Sequence, residues 1–179
     1  MSDWLGEAKA VDTAIYGAIA ASETPSLDVA MRGLSRAADH SKLWFAAAAG
    51  LALLGGSGGR LAARRGLLSL GIASAFANLV AKPLTTRRRP ERREAEELAR
   101  RHVQMPRSSS FPSGHAASAF AFATGAAGAQ PMLSAPLRAL ATLVGYSRVH
   151  TGVHYPADVL AGAFIGVSAA ELAGHLLDR

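Results

Sequence analysis

Apolar residues recur every three to four positions at Leu5, Ala8, Val11, Ile15 and Ile19, a spacing that predicts an amphipathic helix over 5–22. Thr24-Pro25 restarts the chain, and Leu27, Ala30, Met31 and Leu34 form a second stripe that ends near Asp39-His40. The first stripe suits either a membrane surface or the core of a soluble domain. Further along the pattern changes to five stretches nearly free of charge: 43–59, 66–81, 116–137, 136–147 with Arg138 inside it, and 159–170. Several fall short of the ~20 apolar residues that a full bilayer crossing needs. A soluble helical domain, however, needs a polar face on nearly every helix, and these stretches have little polar surface to offer. The pattern predicts an all-α chain, with a multi-span transmembrane bundle of about five spans over 42–179 behind an N-terminal amphipathic arm over 1–41.

Composition supports helices. Half the residues are hydrophobic but only 6% are aromatic, and the apolar mass is Ala, Leu, Gly and Val, not the β-branched and aromatic set that strands favour. Mean hydropathy is only +0.18, much of which traces to the hydrophilic segment 82–107, with nine basic and four acidic residues and no apolar run. That segment reads as a solvated loop or surface helix. Gly55-Gly56-Ser57-Gly58-Gly59 reads as a helix terminator. The absence of cysteine excludes a disulfide framework, a thiolate nucleophile and a thiolate metal site. The first residues lack a basic region followed by an apolar stretch, so no cleaved signal peptide is expected. A net charge of +6 fits nucleic acid, an anionic membrane surface or an acidic substrate equally well.

Three short motifs narrow that choice. In the first, Lys82 ends an apolar stretch and six residues separate it from Arg89-Pro90; positive charge flanking a span is ordinary, so this motif alone is weak. In the second, Pro112-Ser113-Gly114-His115 forms a tight turn before a long apolar run, where free backbone N–H groups at a helix start favour an anion beside a hydroxyl and an imidazole. In the third, Ser147-Arg148 is followed after five residues by His154 and after three more by Asp158. Residues four apart share a helix face, so the Asp158 carboxylate can hold the His154 ring. Pro156 suits only a first helical turn, which sets His154 at the helix edge.

Together the motifs resemble the type 2 phosphatidic acid phosphatase family, membrane lipid phosphatases related to the vanadium haloperoxidases, over roughly residues 43–175. The resemblance implies a metal-free, cofactor-free phosphoric monoester hydrolase. In it His154 attacks phosphorus to give a phosphohistidine, Asp158 orients His154, and His115 protonates the leaving oxygen. Lys82, Arg89, Arg148, the Ser113 hydroxyl and the Gly114 N–H would hold the phosphate. The implied partners are a lipid phosphate and the bilayer of the cell membrane, crossed several times, with no nucleic acid. The motifs grip only phosphate, so phosphatidic acid, phosphatidylglycerol phosphate and polyprenyl-linked phosphates all satisfy them. The short Ala- and Arg-rich chain resembles actinobacterial members, including those acting on decaprenylphosphoryl phosphoribose phosphate.

Other readings compete. His150, His154 and Asp158 stand at four-residue intervals like metal ligands, but Gly152 and Pro156 spoil a continuous helix and the glutamate of a zinc-protease signature is missing. A non-enzymatic anionic-lipid-binding protein would explain the basic loop, yet has no use for Ser113, His115, His154 and Asp158 at these spacings. Arg87, Arg88, Arg92 and Arg93 read as headgroup contacts or substrate-steering charges. His40, His102 and His175 read as surface or interfacial residues. If the five segments alternate direction, all three motifs fall on one side of the membrane. Counting basic residues puts that side in the cytoplasm, whereas many members of the resembled family face outward.

Overall fold

The computed structural model describes residues 3–92 and 100–177. Helix α1 (Trp4–Ala21) starts where the Asp3 side chain accepts the Gly6 N–H, and α2 (Pro25–Ala37) has its proline in the first turn, where no N–H is missed. A 3₁₀ turn, Asp39–Ser41, leads into α3 (Lys42–Leu54). The Gly55-Gly56 break ends α3 as expected, but α4 (Gly56–Ala75) begins at once and runs into a π-helical turn, Phe76–Ala81, that delivers Lys82. The last three helices are α5 (Gly114–Ala129), α6 (Ser134–His150) and α7 (Pro156–Leu177). No strand occurs among the described residues.

Helix α5 is the axis of the bundle, packed against α4, α6 and α7, with α3 against α4 outside it. Its alanines at 116, 117, 119, 121, 123 and 126 are buried, because neighbouring backbones approach too closely for anything larger. A Cβ on Gly166 would stand 2.4 Å from the Ala117 carbonyl oxygen, and one on Gly162 would stand 2.4 Å from that of Ser113. The α5–α7 contact thus sets the distance between the second and third motifs. The larger core groups, Trp44 and Phe122, lie between α3, α4 and α5 at 5.4 Å between ring centroids.

One reading left open is decided here, and one expectation needs correction. On α1 the apolar stripe faces outward, with Leu5, Val11 and Ile15 exposed, while polar Asp12 and Tyr16 are the residues turned inward. The helix docks on a polar site rather than an apolar core, so its hydrophobic side is left for another medium. Nor is the basic segment simply solvated: Arg101 is buried and donates to the Ile19 carbonyl at 3.1 Å. Of the described helices only Pro156–Leu177 is by itself long and apolar enough, by length and composition, to cross a membrane. Helix α3 has 13 residues, about 20 Å at the helical rise, and α4 carries Arg60, Arg64 and Arg65 in its first half.

Gly166→Ala should destabilise the detergent-solubilised protein by roughly 1–3 kcal/mol, because the added methyl must separate α5 from α7; thermal unfolding measures it, and an unchanged Tm would contradict this packing.

Candidate active site

All three motifs converge on the end of the bundle where the π turn, the start of α5 and the α6–α7 connection meet. The π turn advances the chain one residue relative to an α-helix, with the Lys82 N–H donating to the Ala77 carbonyl at 3.0 Å. Lys82 Nζ then donates to Asn78 Oδ1 at 2.8 Å. It also lies 3.4 Å from where a Cβ on Gly114 would be, so a side chain at 114 would crowd the lysine. Ser113 caps α5 through a bond from the Ala116 N–H, and its own N–H reaches the Asp158 carbonyl at 2.9 Å.

The α6–α7 connection owes its shape to Gly152, which takes φ +69°. The N–H groups of Val153 and His154 then both turn back onto the Arg148 carbonyl, at 3.1 and 3.2 Å. This fold-back buries His154 beside Arg89, whose Nη1 lies 3.4 Å from His154 Nε2 and donates to the Val153 carbonyl at 2.7 Å. Arg89 is fixed further by the carbonyls of Ser108 and Ser109. On the other side of the ring, His154 Nδ1 faces Asp158 Oδ2 at 3.5 Å. That approach is an electrostatic pairing longer than a good hydrogen bond, and Nδ1 has no closer partner. Burial pushes the His154 imidazole down to about 4, with Arg89 and Arg148 acting in the same direction and Asp158 against it. The ring is therefore neutral at physiological pH, with a nitrogen lone pair available at Nε2 if Nδ1 carries the proton toward Asp158.

Asp158 itself is completely buried and takes donors from several segments. Its Oδ2 accepts the Ser110 hydroxyl and, at 2.9 Å, the Tyr155 N–H; Oδ1 accepts Arg87 Nη1 at 2.7 Å. Arg87 continues to Asp12 of α1, lies 4.5 Å above the Tyr155 ring, and so bridges two carboxylates. Asp12 also accepts the Ala157 N–H at 2.8 Å, which pins α1 to the start of α7.

A second cluster faces this one. Arg148 is 2% exposed, donates through Nη1 to the Ser35 hydroxyl of α2, and has no hydrogen-bond partner for Nε. The same Nη1 lies 3.7 Å from Asp39 Oδ1, which is 3.0 Å from His115 Nε2. The site residues expected from the motifs are thus gathered as two groups, His154 with Asp158 and Arg89, and His115 with Arg148, while Lys82 borders Gly114.

Sequence reasoning missed Asp12, Ser35, Asp39 and Ser110, and it misread Arg87 and Arg92. Both read from the sequence as headgroup contacts or substrate-steering charges, whereas Arg87 bridges Asp12 and Asp158, and Arg92 donates to the Gly152 and Val103 carbonyls. Arg93 lies outside the described residues. No local signal marks Asp12 and Tyr16 as inward, since polar residues of an amphipathic helix turn in only where a buried partner meets them. His150 ends α6 and binds Asp28 at 2.7 Å, within a buried group that also contains Arg101.

Comparison with known proteins decides the family. A model of the PAP2 superfamily matches residues 62–178. The chain belongs to the PAP2 superfamily. It is 35% identical over 168 residues to a decaprenylphosphoryl-5-phosphoribose phosphatase of Mycolicibacterium smegmatis, covering 90% of this chain and 84% of the relative. Its fold is similar to that of the transmembrane PAP2-type phosphatidylglycerolphosphate phosphatase of Bacillus subtilis, with a TM-score of 0.72, 26% identity, and coverage of 96% of this chain and 87% of the other. Aquifex aeolicus LpxE is similar too, with a TM-score of 0.71, 25% identity, and coverage of 90% and 93%. The resemblance read from the three motifs therefore holds, and this PAP2 protein is a phosphoric monoester hydrolase.

In this PAP2 site the His154 ring should stay neutral down to about pH 4. Side-chain ¹⁵N spectra of the histidines check this: a His154 ring that protonates near the ordinary value of about 6.5 would mean that water fills the site.

Proposed function

We propose that this PAP2 protein is a multi-pass membrane enzyme that removes a terminal phosphate from a polyprenyl-linked phosphate of the decaprenylphosphoryl phosphoribose phosphate type. The observation that carries the chemistry is the arrangement at His154: a buried neutral ring, a carboxylate on Nδ1, and a guanidinium beside Nε2. Nε2 attacks phosphorus in line, the N–P bond forms as the P–O bond to the lipid breaks, and a proton passes from His115 to the departing oxygen. Water then attacks the phosphohistidine and gives its proton to His115, releasing inorganic phosphate and neutral His154. Lys82, Arg89 and Arg148, with the Ser113 hydroxyl and the Gly114 N–H, hold the equatorial oxygens. This division of labour leaves no step for a divalent metal.

Several observations support the lipid and the membrane. The outer surface of the bundle is apolar, with Leu53, Leu54, Leu79, Leu160 and Phe164 each at least 70% exposed, while the buried face of α5 is mostly alanine. That distribution suits five helices surrounded by lipid, the shorter ones completed by their flanking turns. On the arm, outward-facing Trp4, Leu5, Val11 and Ile15 suit a helix lying in the interface. A cavity of about 530 Å³ beside Lys82 and His115 is lined by Phe45 and Leu70 but also by Ser41, Ser74, Asn78 and Ser118. Such a mixed wall suits a polar unit, such as a sugar, between the phosphate and the lipid chain. The relative's extensive match points the same way, and phosphatidylglycerol phosphate, with its smaller polar glycerol, is the second reading.

A phosphate-release panel in metal-free detergent tests the proposal: polyprenyl phosphoribose phosphate should be hydrolysed in preference to phosphatidylglycerol phosphate and phosphatidic acid, and the reverse order would transfer the assignment to the glycerolipids. His154→Ala should abolish turnover while retaining vanadate binding, with Asp158→Asn less severe; substantial turnover by the alanine variant would overturn the nucleophile.

A further inference from the structure

Each histidine of the proposed reaction has its own carboxylate, but only one of the two carboxylates lies within the motifs. His154 Nδ1 faces Asp158, four residues on in the first turn of α7. His115 Nε2 is held by Asp39 at 3.0 Å, from the 3₁₀ turn between α2 and α3. Asp39 lies outside the 62–178 segment that matches the family model. The contact is part of a built arrangement. His40 and Ser41, which follow Asp39, both adopt left-handed backbone, φ 54° and 60°, a conformation that costs non-glycine residues energy and persists only where the surroundings enforce it. The bond from His115 is the largest influence holding the Asp39 carboxyl below the usual carboxylate range, so the aspartate is ionised when it meets the ring. The charged or titratable groups around His115 are Asp39, Arg148 and Lys82, and among them Asp39 alone is an anion.

We propose that Asp39 is the positioning residue for His115, holding Nε2 so that Nδ1 presents the transferable proton to the leaving oxygen. The inference rests on the reading of His115 as the proton donor. The His115 Nδ1 atom has no hydrogen-bond partner among the described residues, and the ring borders the 530 Å³ cavity that would take the leaving group. A carboxylate on the far nitrogen orients the ring and stabilises the imidazolium that donates, the arrangement by which Asp158 serves His154 with the nitrogens exchanged. The N-terminal arm then contributes to chemistry as well as to anchoring.

Leaving-group dependence tests this, because an alkyl phosphate needs a proton on its departing oxygen and 4-nitrophenyl phosphate does not. The measured quantity is kcat/KM, which reports only the steps up to phosphohistidine formation, with dodecyl phosphate as the alkyl substrate. Asp39→Asn should lose at least about 10-fold on dodecyl phosphate, toward the 10²- to 10⁴-fold of a missing general acid, and less than about 3-fold on 4-nitrophenyl phosphate. His115→Ala should show the same selectivity, more strongly. Vanadate affinity and Tm of Asp39→Asn should match the parent protein. Equal losses on both substrates for Asp39→Asn, with selectivity kept in His115→Ala, would overturn the role of Asp39 alone. Faster turnover of both with tighter vanadate binding would also overturn it, by making Asp39 a competitor for the phosphate place. Equal losses for His115→Ala would overturn the proton-donor reading and this inference with it.

Discussion

A carboxylate withdrawn wholly from water has to find donors for both oxygens, and Asp158 finds them on three parts of the chain. The Ser110 hydroxyl comes from the turn before α5, the Tyr155 N–H from the α6–α7 connection and Arg87 from the basic segment, while His154 on that same connection adds an electrostatic pairing at 3.5 Å. Removing Arg87 would leave the charge uncompensated, and removing a neutral donor would leave an oxygen short of a hydrogen bond, both costly where water is excluded. The three motifs are therefore held in one place by the need to satisfy a single buried anion. Arg87 carries the requirement outward, because its second carboxylate, Asp12, is on α1. The N-terminal helix is held to the site by charge rather than by its apolar stripe.

The same logic explains the character of His154, the proposed nucleophile. An imidazole buried between a carboxylate and two guanidinium groups is kept neutral by desolvation, with the cations adding to that effect. Neutrality is the form a nitrogen nucleophile needs, and the neighbouring cations that disfavour protonation are those available to receive a phosphate dianion. Arg89 spends most of its donors on carbonyls, so it reaches the site already oriented. Such preorganisation lowers the reorganisation required when the anion arrives.

Close helix packing is what makes so compact a site possible. With Gly162 against the Ser113 carbonyl and Gly166 against the Ala117 carbonyl, α7 lies near enough to α5 for the Ser113 N–H to bond the Asp158 carbonyl. Small side chains where α5 meets α7 and large apolar ones on the outer surface are consistent with lipid as the surrounding medium.

Much of this was legible in the chain itself. Uninterrupted apolar stretches with alanine and glycine determined the helical class, and the spacings of Lys82 to Arg89, Ser113 to His115 and Arg148 to Asp158 marked the candidate site residues, since each lies within one local segment. The partners that complete the site were not legible, because they are joined across great separations: Arg87 to Asp158 over 71 residues, His115 to Asp39 over 76, and Ala157 to Asp12 over 145. An aspartate on an amphipathic helix reads as solvent-facing whatever it meets in the fold, so periodicity left open which side of α1 turns inward. Local spacing records what a segment can do by itself; which buried charge answers which, and hence that the N-terminal arm belongs to the site, was decided only when the bundle removed those charges from water.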